Sequence, residues 1–149
     1  MGSRIFKRGN KLFAAGSIGL IIVALLHGLG NFAPPPADPA LNAVVDAMRG
    51  YHFDLGLGMR PSLMDIDTSL SITMSIMLLF VGIQNLVTLR VAGDAGSLVR
   101  SLILVNSIFV GAMVMLFAVC RIPPPLVTLG VVEILFLLAL FFPHKQPSG

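Results

Sequence analysis

The chain lacks tryptophan altogether and has one tyrosine and one cysteine among its 149 residues. A lone Cys120 excludes an intrachain disulfide. The missing tryptophan removes the usual aromatic anchor at a membrane–water boundary, leaving Phe32, Tyr51, Phe53, Phe141 and Phe142 to take that part. Charge is scarcest of all, at 11% of residues, where soluble domains carry roughly 25%. A water-soluble fold of this size must cover its surface with polar groups, and too few are present. Three signatures are also missing: G-x-x-x-x-G-K, G-x-S-x-G and C-x-x-C. No phosphate-cradling loop, nucleophile elbow or dithiol pair is therefore announced by motif.

What remains is apolar: 56% of residues are hydrophobic and mean hydropathy is +0.92. Four runs, at about 12–32, 63–89, 98–120 and 126–142, approach or exceed the roughly 20 helical residues that cross a bilayer. In hydrocarbon the backbone must satisfy its own hydrogen bonds, so helices are expected rather than barrel strands. The expected fold is an all-α membrane protein of one domain, residues 1–149. It has four transmembrane helices in an antiparallel bundle, plus a short amphipathic helix in the long outer loop, 33–61. The first run resembles a signal peptide in its basic lead, Arg4, Lys7, Arg8 and Lys11. It is longer than an h-region and "GLGNFAPPP" offers no A-x-A site, so it is expected to stay as a span.

The excess of base gives a net charge of +3 and a pI near 9.6. These charges flank apolar runs instead of forming a patch, which argues against nucleic acid. With the N-terminus inside, Arg4, Lys7, Arg8, Lys11, Arg90, Arg100 and Lys145 fall on the cytoplasmic side. Arg49, Arg60 and Arg121 fall outside, a split of seven to three. Asp38, Asp46, Asp54, Asp65 and Asp67 lie outside, with Asp94 inside. Both termini are thus expected to be cytoplasmic, in a multi-pass protein of the inner membrane.

Local signals set the connections. In "DPALNAVVDAMRG", Asp38 reads as an N-cap, Pro39 as the first helical residue and Gly50 as the stop. Leu41, Val44, Val45 and Met48 then share one face, which suits a membrane surface or the mouth of the bundle. Ser62 and Asp65 have capping-box spacing, so the second helix is expected to open near Leu63. Ser97 reads as the N-cap of the third. "RIPPP" reads as a tight stop and restart before the fourth.

Polar residues within the runs are the candidate functional groups, because an ionisable side chain in a span usually faces other helices. His27 and Glu133 lie at depths that differ by about 3 Å at 1.5 Å per residue. Gly16, Leu20, Ala24, His27 and Asn31 form one stripe. Asp65, Ser69 and Thr73 form another on the second span. An outer ligand or proton site of His27, Asn31, Asp65 and Glu133 follows. Gln84, Asn85 and Asn106 form a second layer, expected to make inter-helix amide contacts. No H-x-x-x-H or E-x-x-H pair fixes a metal, and only His27 offers a haem ligand within a span, so no metal or cofactor is expected. Met74, Met77, Met113, Met115 and Cys120 read as packing residues.

The stretch "AMRGYHFDLGLGMRPSLMDIDTSLSITMSIMLLFVGIQNL" resembles the centre of small bacterial four-span inner-membrane proteins of uncharacterised role. The likeness rests on Ala47 and Met48, Gly58, Arg60 with Ser62, Asp65, Gly82, and Asn85 with Leu86. Pro61 and the basic N-terminal arm depart from it. It covers about a third of the chain and implies four spans without a reaction. The leading expectation is a non-enzymatic accessory or structural subunit of a membrane complex, or a small homo-oligomer. Its partners would be the lipid bilayer and other membrane subunits or itself. The alternatives are a protein handling protons or a small molecule at His27, Glu133 and Asp65, and a membrane enzyme acting on a lipid or isoprenoid with Glu133 as general acid/base.

Overall fold

The computed structural model describes residues 8–34, 37–92 and 96–142. Arg4, Lys7, Asp94 and Lys145, which entered the charge balance, lie outside them. Five helices follow in order: α1 (Arg8–Gly30), α2 (Pro39–Gly50), α3 (Leu63–Ala92), α4 (Gly96–Val119) and α5 (Pro123–Phe141). No strand occurs among the described residues beyond an isolated bridge of His52 with Ser62. Helices α1, α3, α4 and α5 are each long and apolar enough to cross a membrane. At 1.5 Å per residue the 30 residues of α3 reach about 45 Å. That exceeds a hydrocarbon layer of about 30 Å by some three turns.

The helix ends follow from capping chemistry. The Asp38 side chain accepts from the Ala40 backbone N–H at 2.9 Å, with Pro39 opening α2. Gly50, expected just past the end, is instead the last helical residue, and Tyr51 in extended conformation closes α2. The Ser62 N–H and hydroxyl both donate to one Asp65 oxygen, at 2.9 and 2.8 Å, while the Asp65 N–H donates to the Ser62 hydroxyl at 3.1 Å. That reciprocal box fixes the start of α3 at Leu63. Helix α4 opens at Gly96, so Ser97 sits inside its first turn and is not the cap. Arg121, at φ +56°, ends α4. Its N–H donates to the Ala118 carbonyl at 3.2 Å, and that of Ile122 donates to Phe117 at 3.0 Å. This is the Schellman pattern, with arginine where glycine is usual. Pro123–Pro125 then occupy the first turn of α5, where a missing N–H costs nothing.

The chain divides into two compact units, one of residues up to Val23 and from Leu78 onward, the other Ala24–Met77. In the first, the core is Phe13, Leu20, Leu78, Ile103, Val110, Leu129 and Phe136, all fully buried. Helices α4 and α5 pack against each other. The rings of Phe13 and Phe136 lie 5.5 Å apart. Gly16 admits Phe136, and Gly82 lies so close to α1 that a Cβ there would be 2.8 Å from the Ser17 carbonyl oxygen. In the second unit, the end of α1 meets the start of α3, with Gly28 beside Ser75. The loop between α2 and α3 folds back on itself, the Phe53 N–H donating to Pro61 and that of Leu63 to Tyr51. Helix α2 has no buried residue; Val45 and Met48 are half-buried, while Leu41 and Val44 are exposed.

Candidate functional site

Within the Ala24–Met77 unit, His27 is half-buried in the last turn of α1. Its Nε2 lies 2.9 Å from the hydroxyl of Ser71 on α3. Ser71 donates when Nε2 is bare and accepts when Nε2 carries the proton. The Ser75 hydroxyl donates to the Ser71 carbonyl at 3.1 Å, one turn along. Asn31 donates to the His27 carbonyl at 3.1 Å and so closes the end of α1. Asp65 is exposed, with one oxygen engaged twice by Ser62. The sheltered hydroxyls of α3 are Ser71 and Ser75, which no sequence signal singles out, and not the expected Ser69 and Thr73, both of which are exposed.

The other unit holds Glu133 on α5. One of its carboxyl oxygens, Oε1, faces Gly111 of α4, 3.5 Å from where a Cβ would stand. The other, Oε2, is buried without a hydrogen-bond partner among the described residues. The Ser107 hydroxyl on α4, also buried, has none among them either. His27 and Glu133 thus belong to different units, and the hydrogen-bond partner of the His27 ring is Ser71. Of the amides, Asn85 and Asn106 come together. Each donates to the other's carbonyl oxygen, at 2.9 and 3.1 Å, and Asn106 also donates to the Leu102 backbone at 2.8 Å. Gln84 takes no part in that pair and is exposed.

Among the described residues no three His, Cys, Asp or Glu side chains gather where a metal ion would sit. The arrangement offers instead a reversible hydrogen bond at His27 and an unpartnered carboxyl oxygen at Glu133. Four long apolar helices define the class, a multi-pass helical membrane protein. No family model, curated protein or solved structure matches the chain.

Proposed function

We propose that the chain is a non-enzymatic membrane subunit, accessory to a larger complex or assembled with itself, its four spans forming an antiparallel bundle. The observation that carries this is how little of each span the chain itself covers: 22–28% of the most apolar stretch is buried. Leu26, Phe80, Val105 and Ile134, one on each spanning helix, are all more than half exposed. Two of the three connections between spans are short, and the apolar surface left uncovered is for lipid and other helices. The seven-to-three split of basic residues supports a topology with both termini in the cytoplasm and the spans in the inner membrane. Helix α2 lies on the outer surface with its apolar residues toward lipid. Mild extraction from the native membrane followed by native mass measurement tests the reading. A defined particle heavier than the 15.8 kDa chain supports it, and a monodisperse single chain contradicts it.

A second reading, proton or small-molecule handling, is favoured by one observation, the unpartnered Oε2 of Glu133. A carboxyl sheltered among helices and lacking a donor is a place for a proton or a ligand donor to enter. A membrane-soluble carbodiimide applied to native membranes should label Glu133, and Glu133→Gln should abolish the label. Failure to label the native protein removes this reading.

A further inference from the structure

The outward face of α3 carries a group that neither lipid nor this chain satisfies. Gln84 is exposed and makes no hydrogen bond with the described residues. Among them it is the one exposed carboxamide within a spanning helix. It lies six residues, about 9 Å, short of Arg90 near the end of α3. Water is nearest at that C-terminal end. The Cα–Cβ bonds of a helix tilt toward its N-terminus, so the Gln84 Cβ leans away from that interface. Exposed hydroxyls have a local remedy: Thr128 donates to the Pro124 carbonyl of its own helix at 3.1 Å. A longer amide with two donors and an acceptor has no such internal solution here. Phe80, Val87 and Val91, spaced four and three residues around Gln84, are 65%, 55% and 80% exposed. They flank it with an apolar seam.

We propose that this face of α3 is the contact between two copies of the chain, with Gln84 hydrogen-bonded to Gln84 of the partner subunit. The inference rests on the subunit reading above and names the partner. Copies inserted in one membrane share one topology. A two-fold axis along the membrane normal therefore sets a residue near the axis against its own counterpart at its own depth. A carboxamide is its own complement, donor to acceptor and acceptor to donor. The chain already uses that chemistry inside the fold, in the reciprocal Asn85–Asn106 pair. A lipid tail offers no such complement.

Cysteine cross-linking in native membranes tests the contact. Cys120→Ser removes the native thiol, and single cysteines then replace Phe80, Gln84 or Val87. Val105 on α4 and Ile134 on α5, 62% and 57% exposed, serve as lipid-facing controls. Oxidation should give a disulfide-linked dimer from the three α3 positions and not from the controls. In the Phe80→Cys protein, adding Gln84→Leu should weaken the dimer about three- to tenfold, while Gln84→Asn retains it. Equal cross-linking at all positions, or none on α3, overturns the proposal. If native mass still shows an oligomer, only this face is wrong; a lone chain by mass removes the subunit reading as well.

Discussion

Gly82 and Gly130 both sit in apolar helices, and they do different work. A Cβ on Gly82 would lie 2.7 Å from Ile21 Cγ1 and 2.8 Å from the Ser17 carbonyl oxygen, whereas a Cβ on Gly130 meets nothing within 4 Å. Backbone cannot turn aside as a side chain can, so Gly82→Ala must push α1 and α3 apart. A loss of about 1–3 kcal/mol is expected, while Gly130→Ala should be neutral or gain up to about 1 kcal/mol from helix propensity. Unfolding of the two variants in mild detergent distinguishes them; equal midpoints would contradict the close approach. At this scale the sequence was a partial guide. The α1 stripe was legible, since Gly16, Leu20 and Ala24 are buried and His27 and Asn31 half-buried. The α3 stripe was misread because Ser69, Ser71, Thr73 and Ser75 put a hydroxyl at every second position. Such a run fits either helical face. The buried Gly82 and Asn85, traced back by four and three through Leu78, select Ser75 and Ser71.

At the scale of elements, end signals were more legible than interiors, because a cap is a local hydrogen bond between residues a few positions apart. Asp38, Pro39 and the Ser62–Asp65 box act where their spacing placed them. The exceptions have local reasons too. Gly50 keeps helical geometry because Tyr51 closes the end, donating to the Ala47 carbonyl at 3.0 Å. Arg121 takes the left-handed position at the end of α4, for which no sequence signal stood. Since one Asp65 oxygen accepts both Ser62 donors, Ser62→Ala should cost about 0.5–2 kcal/mol, and Asp65→Ala should destabilise the same helix start. Amide exchange should quicken in the first turn of α3 alone. Unchanged exchange there would show that the box does not hold the helix start.

For the whole molecule, four spans were legible because solvent selects composition over long stretches: a run of some 20 apolar residues has few other destinations. The helices extend those runs modestly, α1 beginning at Arg8 and α3 continuing to Ala92. What surrounds the spans was less legible, since exposure to lipid and exposure to a partner demand the same apolar side chains. Gln84 is informative because it suits only the second.

On the proposed topology the chain crosses an even number of times with both ends inside, and sidedness measures that most directly. A membrane-impermeant thiol reagent on intact cells meets Cys120, exposed beside the α4–α5 connection, or a cysteine replacing Ser97 in a Cys120→Ser protein. Cys120 should label from outside, and Ser97→Cys only after the membrane is opened. Labelling of both from the same side would contradict this topology.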